Sequence, residues 1–417
     1  MSEMLSVLRH RNYRRYWLAL IFTVAGRNLE FTALPWLVLQ MSDSPLMLGV
    51  TGLIQTLPTL ALTPVGGVFA DRIHGQRLLL FLQGLTALLS LIFATAVLKD
   101  WVEVGHVWLF AFLLGAIRAF DQPSRHALLP RVVPREEMAK AVALGNSVWQ
   151  FVRLTVPGLA GLLIDLLGVG PTFYAAGLCF LIAMPLLFSV HISPTVSPGG
   201  RGHFLRDLVR GLNFAWRNDT VSTFIGMTFF NSVFGMSYAI MMPVFARDIL
   251  QVGSRGYGFL QTAAGAGAVA GGLTVAYLAR SLRQGRQALI GAIAFGLLLI
   301  GFAFSPWYPL SLGVLFLVGF ANEFYMTTVM ILLQLRLPDE LRGRVMGIFG
   351  LTWSLMPLGG ALSGTLAEYA GAPVAVALGG GLVATMALWV ALTKPQIREL
   401  QGDPVPASAR SSASAGR

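Results

Sequence analysis

Long apolar stretches separated by short polar ones run along almost the whole chain. Each is close to 20 residues or longer, which is the length at which a helix crosses the hydrocarbon core of a bilayer. The pattern therefore predicts an all-α integral membrane protein with twelve transmembrane helices, at 16–40, 46–70, 76–98, 104–122, 141–165, 170–191, 220–246, 257–279, 287–305, 308–333, 345–368 and 373–393.

Two hydrophilic stretches interrupt or end this pattern. The span 193–217 is rich in Pro, Gly and Arg, and it separates six apolar segments from the next six. The chain ends in PVPASARSSASAGR, a low-complexity sequence that we expect to be disordered. The basic, amphipathic start does not resemble a cleavable signal peptide. We expect an N-terminal half at 1–192, a connector at 193–217, a C-terminal half at 218–400 and a tail at 401–417.

The composition excludes other classes of protein. Of 417 residues, 55% are hydrophobic and only 12% are charged, whereas a soluble domain carries roughly 25% charged residues. A soluble globular chain and a disordered chain are both excluded. Cys179 is the single cysteine, so disulfides and cysteine-based metal clusters are excluded too.

The net charge of +11 is distributed as in a membrane protein. If the N-terminus is cytoplasmic, the loops and termini on that side hold 24 of the 30 Lys and Arg residues, as the positive-inside rule requires. We therefore predict a multi-pass protein of the cytoplasmic membrane with both termini in the cytoplasm. A nucleic-acid partner is not expected, because its binding surface would be one contiguous basic patch.

An internal repeat links the two halves. Residues 115–137 align without gaps onto 319–341, at an offset of 204. Identical residues meet at Gly115 and Gly319, Phe120 and Phe324, Pro134 and Pro338, and Glu136 and Glu340, and the same register continues to Trp149 and Trp353. Two parallel six-helix halves are a known plan of secondary transporters.

The loop between the second and third helices has the most specific motif. Its sequence, GVFADRIHGQR over 67–77, resembles the G-x-x-x-D-R signature of the major facilitator superfamily. Residues 115–137 resemble the enterobactin-exporter and macrolide-efflux branch, whose members are drug:proton antiporters. VPGLAG over 156–161 partly matches an antiporter signature in the fifth helix, with candidate packing residues Pro157, Gly158 and Gly161. The resemblance implies the twelve-helix fold of that superfamily in two pseudo-symmetric halves.

The same loop is a candidate conformational latch. We expect Gly67 to let the second helix pack closely and Asp71 to cap a neighbouring helix or pair with Arg72 and Arg77. Both arginines are also able to pair with acidic membrane lipid. The alternative is a loop whose positive charge only sets the topology.

Ionisable residues inside apolar segments indicate functional positions more strongly than the loop does, because a charge at mid-bilayer must face a cavity or a partner. Arg27 and Glu30 lie three residues apart, as do Arg118 and Asp121, so each pair shares a helix face. Glu323 lies beside Asn322 in the tenth helix. We expect Glu30 and Glu323 to line a central cavity and Arg118 to hold Asp121. Static alternatives remain open: an Arg27–Glu30 ion pair, a hydrogen bond between Glu323 and Asn322 or Tyr325, and a surface ion pair at Asp121.

Polar and aromatic residues within the seventh helix are candidate substrate contacts. Asn231 lies in mid-span, and Tyr238 belongs to a possible apolar drug surface. Packing in the core is the alternative for Tyr238.

Motifs for catalysis are missing from the sequence. It contains no G-x-x-x-x-G-K-[ST] loop, no H-E-x-x-H and no G-x-S-x-G. We expect no enzyme activity, no cofactor and no metal site, and we expect a monomer whose partners are a small-molecule substrate, protons and membrane lipid. The function predicted is proton-coupled efflux of amphipathic small molecules such as drugs, macrolides or siderophores. The alternatives are an uptake permease or lysolipid mover of the same fold, and a non-transporting membrane receptor or membrane-embedded enzyme.

Overall fold

The computed structural model describes residues 5–72, 75–191, 212–278 and 283–400. Within these ranges the chain is helical and forms no strand. Residues 193–211 of the predicted connector and the predicted tail 401–417 lie outside them. The twelve long helices, in chain order, are α1 Arg11–Ser42, α2 Pro45–Arg72, α3 Gly75–Leu98, α4 Val104–Val132, α5 Met138–Leu167, α6 Val169–Phe188, α7 Asp219–Ile249, α8 Gly253–Leu278, α9 Gln284–Ala303, α10 Tyr308–Arg336, α11 in two segments Asp339–Trp353 and Met356–Ala370, and α12 Ala372–Thr393. A short helix α13, Pro395–Arg398, follows.

The predicted all-α membrane fold is confirmed. Within the described residues, eleven helical segments, α2 to α12, are long and apolar enough to cross a membrane. Helix α1 is the twelfth long helix and is not one of these eleven, because Arg27, Asn28 and Glu30 lower its mean hydropathy. The largest boundary error is in α4, which continues ten residues beyond the predicted end at 122. Its polar second part resembles a loop in sequence, but it stays helical through Pro123 and Pro130.

Helix α7 is irregular. Two π-helical turns, Asn231–Gly235 and Phe245–Ile249, interrupt it. A π-turn adds a residue to the helical repeat, rotates the side chains that follow it, and is frequent at functional sites. The first of these turns begins at Asn231, one of the predicted substrate contacts.

The described chain divides into two compact units. The first contains α1 to α6 together with residues 240–262 and 360–369. In it α2 packs on α4, α3 on α6, and α1 on α5 and α6. The turn between α1 and α2 is held at both ends: Arg247 Nη1 lies 2.5 Å from Asp43 Oδ1, and Ser44 Oγ donates to Glu368 Oε2 at 2.7 Å.

The described residues of the second unit are 212–239, 263–278, 283–359 and 370–400. Helix α9 packs on both α10 and α12. The core of this unit is a cluster of fully buried side chains, among them Phe224, Tyr325, Val329 and Leu332.

Corresponding glycines shape both halves of the chain. A methyl group on Gly115 in α4 would overlap the Gln55 carbonyl oxygen of α2. One on Gly319 in α10 would overlap the Ala264 carbonyl oxygen of α8. The helix pair α2–α4 and its counterpart α8–α10 therefore approach closely at the two positions that the sequence repeat aligns.

The helix junctions repeat in the same way. Gly168, with φ of 91°, separates α5 from α6, and Gly371, with φ of 87°, separates α11 from α12. Residues other than glycine rarely adopt such a left-handed backbone. The repeat read from the sequence is thus present in the helix junctions as well as in the helix contacts.

Candidate functional site

Among the acids of the first unit whose side chains are described, Glu30 is the most deeply buried, with 1% of its surface exposed. Three helices meet at its carboxylate. From α3, Ser90 Oγ donates a hydrogen bond to Glu30 Oε1 at 2.6 Å. From α4, Arg118 Nη2 lies 4.0 Å from Glu30 Oε2. The acid is therefore held by one neutral donor and one cation, each on a different helix.

The salt bridge between Arg27 and Glu30, left open by the sequence, is not formed in the described residues. The Arg27 guanidinium carbon instead lies 5.3 Å from the ring centroid of Trp149 in α5, a cation–π contact. Residues three apart on a helix differ in direction by about 60°, and that rotation is enough to reach different neighbours. Next to Arg27 in α1, Gly26 packs against the Ala176 carbonyl oxygen of α6.

Asp121 is also paired differently from the expectation. Arg125, one turn further along α4, donates from Nε to Asp121 Oδ2 at 2.8 Å and from Nη2 to Oδ1 at 3.0 Å. This bidentate pair uses the i,i+4 spacing with the acid first, which is the favourable order on a helix. Arg118 forms its described salt bridge with Glu30, so the hydrogen-bonded partner of Asp121 is Arg125 rather than the expected Arg118.

A polar seam joins α1 and α3 next to Glu30. Gln83 Nε2 donates to Thr23 Oγ1 at 2.7 Å, two helical turns before the hydrogen bond between Ser90 and Glu30. All four residues are buried. Buried polar groups that find partners across helices fix the register of those helices.

The second unit contains the other predicted site residues. Asn231 is fully buried at the start of the π-turn in α7, and neither atom of its amide group has a hydrogen-bond partner among the described residues. The same is true of the Asn322 side-chain oxygen in α10. Glu323 is half-buried and accepts a hydrogen bond from Thr327 Oγ1 at 3.2 Å. The Asn231 amide and the Asn322 oxygen are therefore able to bind a further polar group.

Tyr238 lies in the protein interior. Its ring is 3% exposed and packs edge-to-face against Phe295 of α9, with the centroids 6.4 Å apart. In this arrangement Tyr238 belongs to the core rather than to an exposed apolar surface.

The predicted latch is only partly described. Asp71 and Arg72 end α2, and their side chains lie outside the described part of the structure. A methyl group on Gly67 would meet no atom within 4 Å, whereas one on Gly66 would overlap the Ala119 carbonyl oxygen of α4. The close approach expected at Gly67 is therefore made by Gly66. Arg77, in the first turn of α3, borders an apolar groove.

The packing motif in α5 meets α8. A methyl group on Gly161 would lie 2.9 Å from the Gly258 α-carbon, and one on Gly158 would lie 3.0 Å from Thr262 Oγ1. In the other direction, a methyl group on Gly258 would overlap the Pro157 carbonyl oxygen. The glycines permit the two backbones to approach, as small residues do between membrane helices.

With this geometry in place, comparison with known proteins identifies the family. The sequence pattern of transmembrane secretion effectors, within the major facilitator superfamily, matches residues 2–412. The chain belongs to that family.

Three characterised proteins are similar to this transmembrane secretion effector. The multidrug efflux pump Tap of Mycolicibacterium fortuitum is 27% identical over 386 residues, covering 90% of this chain and 94% of Tap. The staphyloferrin A transporter of Staphylococcus aureus (strain NCTC 8325 / PS 47) is 23% identical over 347 residues, covering 83% of this chain and 87% of that transporter. The enterobactin exporter EntS of Escherichia coli O1:K1 / APEC is 25% identical over 349 residues, covering 83% of this chain and 82% of EntS. The predicted superfamily and branch are confirmed.

Solved structures of transporters share the fold. The nucleoside transporter NupG superposes with a TM-score of 0.73 at 12% identity, over 92% of this chain and 99% of NupG. A bacterial homologue of the human lysosomal transporter Spinster superposes with a TM-score of 0.71 at 13% identity, over 94% of this chain and 97% of the homologue. That homologue was solved in an inward-facing and unoccupied conformation. The transmembrane secretion effector is thus a multi-pass membrane protein with the fold of a transporter family, which is not a class of enzyme.

Two residues of the site were missed in the sequence of this transmembrane secretion effector. Arg125 was detectable, because it follows Asp121 at the i,i+4 spacing of a helical ion pair. Ser90 carried only a weak signal, since a single serine in an apolar helix commonly bonds its own backbone. It does bond the Thr86 carbonyl oxygen, at 2.9 Å, in addition to Glu30.

Proposed function

We propose that this protein is a proton-coupled secondary transporter that exports amphipathic small molecules by alternating access. The substrate class comes from its relatives, whose names include a multidrug efflux pump and exporters or transporters of siderophores. Drugs, macrolides and siderophores share a bulky scaffold that is partly apolar and partly polar. Family membership across nearly the whole chain supports the assignment of transport.

The setting of Glu30 is the observation that carries the proposal of proton coupling. A buried carboxylate must be neutralised by a cation or by a proton. At 4.0 Å, Arg118 is at the outer limit of a salt bridge with Glu30, and Ser90 is able to donate a hydrogen bond to Glu30 in either state. In the proposed cycle, a proton on Glu30 replaces Arg118 as its partner, and loss of that proton restores the ion pair.

Substrate recognition is assigned to the second unit. Asn231 and Asn322 have buried amide atoms without hydrogen-bond partners in the described residues, and Glu323 adds a half-buried acid beside Asn322. Tyr238 packs close to the π-turn that begins at Asn231. Polar substrate groups would bind to these amides, and a cationic group would bind to Glu323.

The remaining predicted residues are assigned to the conformational change. Gly67, Asp71, Arg72 and Arg77 form the latch between α2 and α3, and Pro157, Gly158 and Gly161 let α5 pack on α8. Arg27 and the Asp121–Arg125 pair hold helix positions around Glu30, with Asp121 as the reserve site for a proton.

The placement in the cell is part of the same proposal. Both termini and the connector 193–217 lie in the cytoplasm, and the protein is a monomer in the cytoplasmic membrane. The two halves are 1–192 and 218–400, and the tail is 401–417. The concentration of Lys and Arg in alternate loops supports this orientation.

Accumulation assays in bacteria that lack their own efflux pumps test the substrate class and the direction of transport. Cells making the protein should retain less drug or siderophore than cells carrying an empty vector. Dissipation of the proton gradient should abolish the difference. Higher accumulation in the cells that make the protein would instead identify an uptake permease.

A further inference from the structure

A basic cavity of about 750 Å³ opens where α9 begins and α13 ends, in the second unit. It is lined by Arg283, Arg286, Arg398 and Glu399, all of which are exposed. Among the described residues, none of these four side chains forms a salt bridge or a hydrogen bond. Three arginines against one glutamate give the cavity a net positive charge that the described protein does not neutralise.

The cavity is held in shape by the backbone beneath it. The Gly285 amide donates a hydrogen bond to the Leu400 carbonyl oxygen at 3.1 Å. A methyl group on Gly285 would overlap the Ile397 carbonyl oxygen, so only glycine permits this approach. Ile397 and Leu400 are both buried in the core of the second unit. The backbone at the start of α9 is therefore held against the end of α13, so that arginines from both elements line one cavity.

Helix α9 adds to the positive potential. Arg283 is its N-cap residue and Arg286 lies in its first turn. The N-terminus of a 20-residue helix carries a partial positive charge that favours an anion nearby. Guanidinium groups bind phosphate oxygens with two parallel hydrogen bonds. The chemistry of the cavity is therefore suited to a phosphate ester.

The same face of α9 continues into the membrane. Positions 283, 286, 290 and 297 lie on one side of the helix, because they are separated by steps of three, four and seven residues. Ile290 is 54% exposed and Leu297 is 57% exposed. An exposed apolar stripe on a membrane helix contacts lipid acyl chains, so a phosphate bound at Arg286 would lie above acyl chains on Ile290 and Leu297.

We propose that this cavity is a binding site for the phosphate headgroup of an anionic membrane phospholipid. The three arginines hold the headgroup, and the apolar stripe of α9 receives one acyl chain. Basic pockets of this kind on the cytoplasmic side recognise anionic lipid headgroups. The site lies on the side of the membrane that the proposed orientation makes cytoplasmic, and it does not depend on which molecule is transported.

Native mass spectrometry of the full-length protein in detergent tests the site, with phosphatidylglycerol and phosphatidylcholine as probes. The unchanged protein should retain phosphatidylglycerol in preference to phosphatidylcholine. Each arginine near an anionic headgroup contributes a factor of about five in affinity. The triple variant Arg283→Gln, Arg286→Gln, Arg398→Gln should therefore bind phosphatidylglycerol about a hundredfold more weakly.

The matched control removes three other exposed arginines. Arg9, Arg11 and Arg14 lie near the N-terminus, on the same predicted side of the membrane, and line none of the described cavities. Their replacement by Gln removes the same charge and should leave phosphatidylglycerol binding unchanged. Equal losses in the two triple variants would show a general effect of net charge and would overturn the site.

Single substitutions at Arg398 and a competition with inorganic phosphate complete the test. If the triple variant does not fold, Arg398→Gln alone should weaken binding about fivefold, while Arg398→Lys should retain most of it. Inorganic phosphate at the concentration of the lipid should not displace phosphatidylglycerol. Displacement by phosphate would identify a site for a soluble anion and contradict the lipid assignment.

Discussion

At the scale of single residues, the partner of Glu30 decides how the acid works. Arg27 is the nearest arginine in sequence, yet Arg118 of α4 lies 4.0 Å from the carboxylate. A proton on Glu30 would therefore loosen the contact between α1 and α4, rather than a contact within α1. This arrangement makes the protonation state of one side chain a determinant of helix packing.

A double-mutant cycle on thermal unfolding in detergent tests this pairing. Glu30→Gln and Arg118→Gln should each destabilise the protein by about 1–3 kcal/mol, because each leaves a buried charge without its partner. The double variant should lose less than the sum of the two, with a coupling of about 0.5–3 kcal/mol. The parallel cycle with Arg27→Gln is the control, and its two effects should add. Coupling to Arg27 instead of Arg118 would contradict the described geometry.

At the scale of helices, glycines at repeated positions set how closely the helices pack. Gly115 and Gly319 are equivalent in the repeat, and each lies against a carbonyl oxygen of a neighbouring helix. The same helices contain two glycines, Gly105 in α4 and Gly313 in α10, at which an added methyl group would meet no atom within 4 Å. The chain thus provides its own comparison between packed and unpacked glycines.

Replacing these glycines by alanine should have opposite effects in the two classes. Gly115→Ala and Gly319→Ala should lower the thermal unfolding temperature, since overpacking costs about 1–3 kcal/mol. Gly105→Ala and Gly313→Ala should leave it unchanged or raise it slightly, because alanine favours a helix over glycine by about 1 kcal/mol. Circular dichroism at 222 nm during heating measures all four. A stabilising Gly115→Ala change would refute the close approach of α2 and α4.

The helices were predictable from the sequence because hydropathy reports burial in lipid directly. The second part of α4 was not, since its polar residues satisfy one another within the helix, as Asp121 and Arg125 do. The ion-pair partners were not predicted correctly, because the sequence favoured i,i+3 neighbours, whereas Asp121 pairs with Arg125 at i,i+4 and Glu30 pairs with Arg118 of another helix. The contact of Arg118 with Glu30 depends on how α1 packs against α4. No spacing of residues within one helix predicts such a contact between two helices. The π-turn at Asn231 likewise has no sequence signal that we can identify.

At the scale of the whole molecule, the basic residues predict the orientation in the membrane. Thiol labelling of intact cells tests it, because Cys179 is the only native cysteine. In a Cys179→Ser background, single cysteines at Ser197 and Ser411 should resist an impermeant maleimide until the cells are opened. A cysteine at Asp100, in the predicted outer turn between α3 and α4, is the positive control. Labelling of Ser197→Cys or Ser411→Cys in intact cells would reverse the proposed orientation.

The central claim is that Glu30 carries the proton that is exchanged for substrate. Its most direct test is proton movement in proteoliposomes that contain a trapped pH-sensitive dye, on addition of a substrate identified by the accumulation assay. The unchanged protein and the control Glu136→Gln, an exposed acid, should move protons when substrate is added. Glu30→Gln should move none while still exchanging labelled for unlabelled substrate. Proton movement at the normal rate in Glu30→Gln would contradict the account.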